Sequence, residues 1–569
     1  MLSTDEGVRR LAPLRGDERG VRIGGTTRPW DEETDVAIVG FGAAGASAAI
    51  EARTAGARVL VADRFGGGGA SKLSAGVVYF GGGTRLQKES GWEDSPEQMY
   101  AYLALEAADA VSEETLRAFC ERSVENFEWL CAMGVPFPAS GEALKTSYPP
   151  DHCTLYFSGN ELCPPYCDAA RPAPRGHRAL GKGLTGHLIF GGLARTALQA
   201  GITLRTRTRA ERLVTDDGGD VLGVELAEVA APLAPLHELG KLLVTYGGGF
   251  SIKATEVLSR ELSRFEERVV RRRFVRAKGG VVLAAGGFVF NPAMMREHAP
   301  AYASASMRLG TAGDDGRGIL LGRAAGAAIA RMDRCCAWRF INPPSAWTRG
   351  ILLGEDGVRL CNEELYGSKI GEHLAAAGGR GWLVIDAAMM ELARAQMRTE
   401  PMGGFQLVFG AANNYFNHVK ADSLDALADA CGLSRERLRA SVAEYNAGCA
   451  AKKDALGKSE SALHPIERPP FYAIDCDLDT VAFPTPCITL GGLVVDGLSA
   501  RVVREDGGAP IGGLYAAGRN AVGVSSHSYV SGLSVADGIF SGRNAGAAAA
   551  ARARAVSEAS RPSFAAVHA

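Results

Sequence analysis

Residues Thr34 to Asp63, TDVAIVGFGAAGASAAIEARTAGARVLVAD, determine how the rest of this chain is organised. An apolar run, Val36 to Val39, leads into a glycine-rich turn, a helix of small residues follows, and a second apolar run ends at Asp63. Strand, tight turn, helix and strand follow one another in this way in a dinucleotide-binding βαβ unit. The stretch therefore predicts a dinucleotide site, and the alternative is an ordinary βαβ crossover.

Each glycine of the turn Gly40-Phe-Gly-Ala-Ala-Gly45 has its own predicted structural role. Gly40 makes the tight turn, Gly42 lets a pyrophosphate approach the backbone, and Gly45 lets the helix pack closely on the strand. The positive N-terminus of the helix then faces the anion. Asp63 is placed to accept hydrogen bonds from the adenosine ribose. The predicted cofactor contacts in this stretch are completed by Ala43, Ala44 and Arg64.

A second glycine-rich loop follows directly, Gly66-Gly-Gly-Gly-Ala-Ser71-Lys-Leu-Ser74-Ala-Gly76. So many glycines leave room for a ligand to lie against the backbone, and the two serine hydroxyls suit a phosphate or a flavin ring. The predicted cofactor residues of this loop are Gly69, Ala70, Ser71 and Gly76. The alternative is a flexible surface turn. Further along, a buried strand ends in Gly286-Gly287, which is predicted to make another cofactor turn.

Composition limits the class of protein. At 569 residues the chain is too long for one core, and its 46% hydrophobic and 22% charged residues are typical of a globular protein. A net charge of -2 gives no reason to expect nucleic acid as a partner. No apolar segment resembles a secretory signal or spans a bilayer, so a cytoplasmic location is expected. The 12 cysteines lack the spacing of zinc or iron-sulfur ligands, so no metal is predicted, and most thiols are expected to be reduced and buried.

The pattern along the chain predicts an α/β fold with a discontinuous Rossmann-like domain and an inserted α+β cap domain for the substrate. Its predicted parts are a flexible tail (1–30), the first part of the nucleotide-binding domain (31–291, with an insert at about 228–276), the cap (292–475), the second part of the nucleotide-binding domain (476–550) and a tail (551–569). Nicotinamide enzymes generally complete their nucleotide domain in one stretch. A split domain therefore favours FAD as the cofactor.

Three local patterns add detail. Residues 95–133 predict two helices, opened by Ser95 and Ser112, and Asp216-Asp-Gly-Gly predicts a hairpin turn. Lys253 to Val275 carries apolar residues at helical spacing and several arginines, which predicts a basic amphipathic helix. That helix is either packed on its own domain or in contact with another subunit or a membrane surface, so peripheral membrane association through 250–275 is left open.

At this point the motifs resemble a known family. The fingerprint, the Gly-Gly-Ala-Ser71 loop, Val281-Val-Leu-Ala-Ala-Gly-Gly287, Thr489-Leu-Gly-Gly492 and Leu514-Tyr-Ala-Ala-Gly-Arg519 followed by Gly532-Leu-Ser534 are similar to the FAD flavoproteins of the fumarate reductase and 3-ketosteroid dehydrogenase superfamily. The resemblance covers nearly the whole chain apart from the tails and the insert. It implies that FAD is bound, and that Gly518, Arg519, Ser534 and Val535 lie against the flavin.

The same resemblance narrows the substrate. Fumarate reductases and succinate dehydrogenases hold dicarboxylates with a His and an Arg, and the corresponding positions here are expected to be Cys487 and Tyr529. A dicarboxylate would meet no fixed cation at either, and burying unpaired carboxylates is costly. Tyr529-x-Ser531-Gly532, together with Tyr366 and the Arg175-Gly-His177 piece, is most similar to the branch that desaturates the 4,5 bond of 5α-3-ketosteroids. The branch that desaturates the 1,2 bond has an additional active-site tyrosine earlier in the chain, and Tyr148 and Tyr156 are the candidates for it here.

The resemblance implies dehydrogenation of an apolar ketone, with proton removal beside the carbonyl and hydride transfer to FAD N5. Phenols and a hydroxyl can polarise the ketone and relay the proton, so the predicted catalytic residues are Tyr529, Tyr366 and Ser531, with Tyr529 and Gly532 at the substrate. The base, the bond desaturated and the electron acceptor stay open. The alternatives are a flavin-dependent enone reductase, a desaturase of another polycyclic ketone, and an inactive flavin-binding protein with a membrane or assembly role.

Overall fold

The computed structural model describes residues 2–141 and 143–559. Within them, a large mixed sheet forms the centre of the nucleotide-binding domain and a smaller antiparallel sheet forms the centre of the cap. The α/β class predicted from the sequence is confirmed. The predicted domain boundaries stay a prediction.

The N-terminal residues fold, which differs from the flexible tail predicted for 1–30. They form α1 (Thr4–Arg10), β1 (Leu14–Asp17), β2 (Gly20–Ile23) and β3 (Thr26–Pro29). The Ser3 side chain accepts a hydrogen bond from the Glu6 N–H and so caps α1. Val21 is fully buried against Val214 and Phe274. These few apolar contacts lie among charged residues that occupy the exposed faces, and the charged composition concealed them.

The fingerprint has the predicted structure. It forms β4 (Glu32–Val39), α2 (Ala43–Thr54) and β5 (Val59–Ala62). The two strands are parallel, with Val36 opposite Val59 and Val39 opposite Ala62. The second half of β4, Val36–Val39, and all of β5 are apolar because they are buried on both faces of the sheet. The prediction of strand, turn, helix and strand is confirmed.

The following segment includes residues 95–133, which form three helices where the sequence predicted two. Its elements are α3 (Gly69–Leu73), β6 (Val77–Tyr79), α4 (Arg85–Glu89), α5 (Pro96–Ala107), α6 (Glu113–Glu121), α7 (Ser123–Ala132), β7 (Leu155–Tyr156), α8 (Tyr166–Ala169), β8 (Gly176–Arg178) and α9 (Gly186–Gln199). Ser95 and Ser112 cap α5 and α6 as predicted. The second predicted helix is interrupted at Arg122, where ψ turns to 4°.

The insert begins as predicted and ends differently. It follows β9 (Thr203–Arg205), β10 (Thr208–Thr215) and β11 (Val221–Val229), and it contains α10 (Ala234–Leu242) and α11 (Ile252–Val269), before β12 (Val270–Leu283). The predicted hairpin joins β10 to β11. The helix predicted to reach Val275 ends at Val269, because Arg272 and Arg273 pair across strands with Glu225 and Glu228. The arginines there belong to a sheet surface.

The long strand β12 links the two halves of the large sheet, whose order is β3-β2-β1-β10-β11-β12-β4-β5-β9. Its first half is antiparallel to β11, with Val270 opposite Val229. Its second half is parallel to β4, with Val281 opposite Ala37. Val281 also lies opposite Leu514, so a strand from the last part of the chain joins the same sheet. The discontinuous nucleotide-binding domain is thereby confirmed.

The cap and the C-terminal part complete the chain. They contain α12 (Pro292–His298), β13 (Met307–Arg308), α13 (Arg317–Ala324), β14 (Ile329–Ala330), β15 (Cys335–Ala337), β16 (Ile351–Gly354), α14 (Gly367–Ala376), β17 (Gly381–Ile385), α15 (Ala387–Thr399), α16 (Gly404–Tyr415), β18 (His418–Ala421), α17 (Leu424–Cys431), α18 (Arg435–Ala451), β19 (Phe471–Asp475), β20 (Pro486–Thr489), β21 (Gly492–Leu493), β22 (Leu514–Ala516) and α19 (Leu533–Ala559). The cap sheet has the order β16-β17-β19-β18.

Helix α19 packs tightly on α2. A Cβ atom at Gly542 would lie 2.3 Å from the Ala44 carbonyl oxygen, and one at Gly546 would lie 2.2 Å from that of Ala48. Residues 551–559, predicted as a tail, belong to this helix, and 560–569 lie outside the described residues. Among the helices of residues 2–141 and 143–559, none combines the length and the apolar character that crossing a membrane requires. All 12 cysteines are free, and most are buried.

Candidate active site

The glycine-rich turn places the start of α2 against a cavity. Gly40 has φ +100°, and a Cβ atom there would lie 2.4 Å from the Ala284 carbonyl oxygen. A Cβ atom at Gly45 would lie 2.0 Å from the Gly40 carbonyl oxygen, so the helix can approach the strand only with glycine here. The nearest atom to a Cβ at Gly42 would be Ser71 Oγ at 3.4 Å. The turn therefore has room for a ligand at Gly42 and close packing behind it.

Asp63 organises the loop after β5. Its carboxylate accepts hydrogen bonds from the N–H groups of Phe41 (2.9 Å), Phe65 (2.8 Å) and Gly67 (3.1 Å). These bonds fix the glycine turn and the second glycine-rich loop relative to each other. The carboxylate also lines the cavity, so the predicted bond to a ribose is compatible with this arrangement and stays a prediction.

Helix α11 is anchored beside this end of the cavity. The buried Glu266 of α11 accepts hydrogen bonds from Arg64 Nε at 2.9 Å and Arg209 Nη1 at 2.6 Å, and lies 2.8 Å from His237 Nε2. Burial would raise the pKa of Glu266, but Arg64, His237 and Arg209 together hold it well below its ordinary value. Arg64 also pairs with Asp315 at 2.8 Å. The Glu266 carboxylate therefore connects the insert to Arg64, which directly follows the fingerprint.

One cavity of about 580 Å³ extends from this turn to the predicted catalytic residues. The predicted residues that line it are Gly40, Gly42, Ala43, Ala44, Asp63, Arg64, Gly69, Ala70, Ser71, Gly286, Tyr366, Gly518, Arg519, Tyr529, Ser531, Gly532, Ser534 and Val535. Gly45 and Gly76 lie behind its wall, where their missing side chains permit packing against Gly40 and Thr185. Residues from the first part, the cap and the last part of the chain thus meet in one space.

The middle of the cavity contains a guanidinium with a free donor. Arg519 Nη2 donates to Asp314 Oδ1 at 2.6 Å, and Gly286 lets the carboxylate approach, since a Cβ atom there would lie 2.6 Å from the same oxygen. Arg519 Nη1 is buried and has no hydrogen-bond partner among residues 2–141 and 143–559. An unpaired buried donor is costly, and the oxygens and ring nitrogens of FAD would satisfy it. The residues present therefore fit this cofactor.

The far end of the cavity is formed by hydroxyl groups on two separate segments. Tyr366 is the N-cap residue of α14, and its hydroxyl accepts a hydrogen bond from Trp338 Nε1 at 3.0 Å. Tyr529 and Ser531 lie on the loop that leads into α19. The Tyr529 ring packs edge-on against Trp338, with centroids 5.2 Å apart. Gly532 has φ +89°, and a Cβ atom there would lie 2.7 Å from the Tyr79 nitrogen, so the loop requires glycine.

Burial keeps these phenols protonated. It raises the pKa of Tyr529 well above its ordinary value, although the N–H groups of Gly532 and Ser534, which face its oxygen, act in the opposite direction. Burial also raises the pKa of Tyr366, opposed by the nearby Ser531 hydroxyl. At neutral pH both are hydrogen-bond donors. This suits the polarisation of a carbonyl, and a base role needs the proton to be passed on at once.

Tyr156 lies near the hydroxyls of Ser531 and Tyr366 but does not line the cavity. Its side chain is fully buried, and burial raises its pKa while the nearby Ser531 lowers it. Its hydroxyl makes no hydrogen bond with any described residue. Tyr148, the other candidate from the sequence, lines the cavity and donates to the carbonyl oxygen of Gly183 at 2.7 Å. Ser531 is therefore flanked by the phenols of Tyr156 and Tyr366.

The sequence did not single out the aromatic wall of the cavity. It consists of Trp338, Phe340, Phe405 and Phe409, with Ile488 beside them. The alternation Trp338-Arg-Phe340 after a short strand could have indicated it, because residues two apart on extended backbone share a face. These side chains make the far end of the cavity apolar, as a bulky apolar substrate requires.

One sequence expectation, that Cys487 occupies a position facing the substrate, needs correction, and Arg175 and His177, for which only a motif likeness was noted, also lie away from the cavity. Cys487 is buried but does not line the cavity, since its neighbours Pro486 and Ile488 on β20 face that way and successive side chains alternate. Arg175 and His177 lie on β8 behind the cavity wall. Arg175 pairs with Asp94 at 2.7 Å. The ring nitrogens of His177 make hydrogen bonds with Thr84 Oγ1 and with the Arg175 carbonyl oxygen. Burial lowers the pKa of His177 to about 4, so the ring is neutral.

Comparisons with known proteins agree with this geometry. A family model described as FAD binding domain matches residues 35–535. The chain is 37% identical over 501 residues to the 3-oxo-5-alpha-steroid 4-dehydrogenase of Comamonas testosteroni, covering 86% of this chain and 93% of that protein.

Two solved structures give the same picture. One is a 3-ketosteroid-delta4-(5alpha)-dehydrogenase from Rhodococcus jostii in complex with 4-androstene-3,17-dione, which is 34% identical with a TM-score of 0.77, covering 95% of this chain and 99% of that chain. The other is a 3-ketosteroid delta1-dehydrogenase from Sterolibacterium denitrificans. It shares the fold at 20% identity and a TM-score of 0.62, covering 91% of this chain and 100% of that one.

Proposed function

The chain belongs to the FAD-binding flavoprotein family of the fumarate reductases and 3-ketosteroid dehydrogenases, and we propose that it is an FAD-dependent dehydrogenase of a 3-ketosteroid. One observation carries the proposal: Tyr366, Tyr529 and Ser531 meet at the apolar end of the same cavity that contains the nucleotide turn and Arg519. The names of the two relatives above 30% identity favour the 4,5 bond of a 5α-reduced substrate. Desaturation at the 1,2 bond is the alternative.

FAD held by the glycine turns and Arg519 supplies a hydride acceptor. The protein's own residues prepare the other half of the reaction. The Tyr529 hydroxyl and the Gly532 N–H hold the ketone oxygen and favour enolisation beside it. Tyr366 gives its hydroxyl proton through the nearby Ser531 to water, and the phenolate so formed takes the proton from the acidified carbon. The Trp338 N–H supports this role, because a hydrogen bond to the Tyr366 oxygen stabilises the phenolate that forms transiently.

The apolar wall selects the substrate. Trp338, Phe340 and Phe409 offer flat apolar surfaces to a fused ring system and exclude water from the reacting carbons. The cations that line the cavity include Arg308, which lies opposite Cys487 on the neighbouring strand, and Arg519, which pairs with Asp314. At the two positions where fumarate reductases and succinate dehydrogenases hold a dicarboxylate, Tyr529 and Cys487 supply no cation, which disfavours a C4 dicarboxylate as the substrate. Another polycyclic ketone would meet the same surfaces as a steroid does.

An anaerobic reduction experiment tests the proposal. The purified yellow holoprotein is mixed with a 5α-reduced 3-ketosteroid, and the visible absorbance of the flavin is followed. We expect rapid bleaching with the 5α compound and much slower bleaching with its 5β epimer, because a hydride acceptor fixed on one side of the substrate can be reached by the C5 hydrogen of only one epimer. If neither bleaches, and the dithionite-reduced enzyme is instead reoxidised by the Δ4-enone, the protein is an enone reductase.

The third alternative, an inactive flavin-binding protein with a membrane or assembly role, would show neither reaction. Contact between segment 250–275 and a membrane stays a prediction. The charges of α11 offer it little support, because Lys253, Arg260, Arg264 and Arg268 are matched in number by Glu256, Glu261, Glu266 and Glu267. Electrostatic attraction of this helix as a whole to an anionic surface is therefore weak.

A further inference from the structure

Five large apolar side chains are exposed where the cavity opens. They are Leu73, Leu184, Tyr246, Phe250 and Phe405, and each both lines the cavity and is between 37% and 61% exposed. They come from four separate segments: α3, the loop before α9, the insert between α10 and α11, and α16 of the cap. We refer to these five residues as the rim. Exposed apolar residues brought together from distant parts of a chain mark an interaction surface.

Hydrogen bonds hold the rim together. The Tyr148 hydroxyl donates to the carbonyl oxygens of Gly183 and Ala75, which fixes the Leu184 loop against the end of α3. Gln406 Nε2 donates to Ser147 Oγ at 2.8 Å and so fixes α16 against the loop that carries Tyr148. The Phe405 ring packs on the Tyr148 ring, with centroids 5.8 Å apart. This side of the opening is therefore a built surface that joins the cap to the nucleotide-binding domain.

Lysines flank the rim. Lys72 precedes Leu73, Lys182 lies two residues before Leu184, and Lys253 lies three residues after Phe250, and all three are exposed. In the part of the chain that the structure describes, none of the three forms an ion pair. The carboxylate near Leu184 belongs to Asp151, and it is bound by Arg178 Nη2 at 3.1 Å and by the Gly183 N–H at 2.9 Å. The charge around the opening that is left unneutralised is positive.

We propose that the rim and its three lysines form a docking surface for an anionic lipid bilayer, through which the apolar substrate enters the cavity directly from the membrane. Apolar side chains that reach into the boundary between headgroups and acyl chains, with lysines beside them at the headgroups, are the arrangement of proteins that lie on a membrane without crossing it. The substrate part of the inference rests on the proposed function. The docking part rests on the rim alone.

This docking surface differs from the basic amphipathic helix, α11, that the sequence suggested as a membrane contact. The central charges of α11 are paired along the helix, Arg264 with Glu261 at 2.7 Å, and the buried Glu266 faces inward. The segment before α11 contributes Phe250 to the rim, and the first turn of α11 carries the flanking Lys253. Membrane contact is therefore assigned to the mouth of the cavity, and the rest of α11 serves to anchor the insert to its own domain.

Vesicle sedimentation of the FAD-loaded protein tests the docking surface. The probe is vesicles of phosphatidylcholine with phosphatidylglycerol, compared with pure phosphatidylcholine. We expect binding to the anionic vesicles that falls about tenfold or more in the triple variant Lys72→Ala, Lys182→Ala, Lys253→Ala, since each lysine near an anionic surface contributes to binding. A variant with Leu184→Ser and Phe250→Ser should lose a similar amount. Retention of the flavin absorbance shows that each variant is folded.

Matched controls use exposed residues away from the opening. Lys453→Ala and Phe416→Ser, the latter at a side chain that is 84% exposed, should bind vesicles as the unchanged protein does. The inference is overturned by a protein that does not bind anionic vesicles, by rim variants that bind as before, or by sedimentation velocity that shows a dimer of the unchanged protein and a monomer of the Leu184→Ser, Phe250→Ser variant. Vesicle binding involves no turnover. A failure of docking and a failure of the ketosteroid reaction are therefore separate results.

Discussion

The backbone N–H of Tyr366 donates a hydrogen bond to the side-chain oxygen of Asn160 at 2.7 Å. This bond joins the first residue of a cap helix to a buried loop of the nucleotide-binding domain. Asn160 Nδ2 in turn donates to Glu106 Oε1 at 2.7 Å, and the Tyr102 hydroxyl donates to the same oxygen at 2.9 Å. Burial raises the pKa of Glu106, which favours its neutral form. The network fixes the position of the Tyr366 hydroxyl without touching the substrate.

Asn160→Ala should lower kcat about tenfold while FAD stays bound, because it leaves the buried Tyr366 N–H unpaired and frees the start of α14. Asn160→Asp keeps the acceptor for Tyr366 but replaces the donor to Glu106 with an oxygen. Adding Glu106→Gln restores a donor between the two side chains, so the double variant should recover kcat relative to Asn160→Asp alone. Stopped-flow flavin reduction and thermal unfolding measure both effects. A recovery of the unfolding temperature without any recovery of kcat would contradict a positioning role.

Tyr529→Phe should slow flavin reduction by the ketosteroid by a factor of about 100 to 10,000, the range for losing a positioned proton donor. The ring and its edge-on contact with Trp338 remain, so the flavin spectrum should not change. Tyr515→Phe is the matched control, since Tyr515 is equally buried on β22 and does not line the cavity. Equal rates for the Tyr529 and Tyr515 variants would remove Tyr529 from the catalytic residues.

Arg519→Met should weaken FAD binding about tenfold or more, because the variant loses the buried donor Nη1 and leaves Asp314 without its partner at 2.6 Å. Arg435→Met is the control, as Arg435 forms an exposed ion pair with Asp429 far from the cavity lining. Fluorescence titration of the deflavinated proteins with FAD gives both dissociation constants. Equal affinities for the two variants would show that Arg519 serves only to hold Asp314.

The sequence predicted well those features that depend on local backbone chemistry. The turn from Gly40 to Gly45 could be interpreted because each glycine answers a separate steric demand, and the family motifs placed Tyr529, Ser531 and Tyr366 in one cavity. Trp338 was missed because a tryptophan within an apolar run gives no sign of which cavity it faces. Cys487 was placed in the site because motif spacing does not determine which face of a strand a side chain occupies.

Features that depend on distant partners were harder to predict. The N-terminal strands are stabilised by contacts such as that of Val21 with Phe274, more than 250 positions away, and charged neighbours concealed that contact. The helix predicted up to Val275 ends at Val269, and the residues after it form a strand in which Arg272 pairs with Glu225 of the neighbouring strand. In both cases local periodicity was ambiguous and tertiary pairing decided the outcome.

The buried Asp537 should make the protein less stable as the pH rises. Burial raises the pKa of this carboxyl from 3.8 to about 6, while Ser525 opposes the shift. The folded state therefore binds the proton more tightly, and stability is lost between about pH 4 and pH 6 as the carboxyl ionises. The full cost, about 3 kcal/mol, applies above that range.

Asp537→Asn removes this ionisation. The free energy of unfolding of the holoprotein is measured in urea at about pH 4.5 and at about pH 7.5. The free energy of the variant minus that of the unchanged protein should be larger at the higher pH. Asp506→Asn, at an exposed turn, should show no such gain. A difference between Asp537→Asn and the unchanged protein that is the same at both pH values would contradict the assignment.

The contact between α19 and α2 predicts opposite effects for two glycine-to-alanine changes. Alanine in a helix interior normally stabilises by about 1 kcal/mol relative to glycine. At Gly546 the new Cβ would lie 2.2 Å from the Ala48 carbonyl oxygen, so the helices must separate, and overpacking of this kind costs about 1 to 3 kcal/mol. At Gly191 in α9 no atom outside the helix backbone lies within 4 Å of a new Cβ.

We therefore expect Gly546→Ala to lower the unfolding temperature and to weaken FAD binding, because α2 presents its N-terminus to the cofactor. Gly191→Ala should raise the unfolding temperature and leave the FAD affinity unchanged. Stabilisation by both changes would mean that the two helices are not packed backbone to backbone.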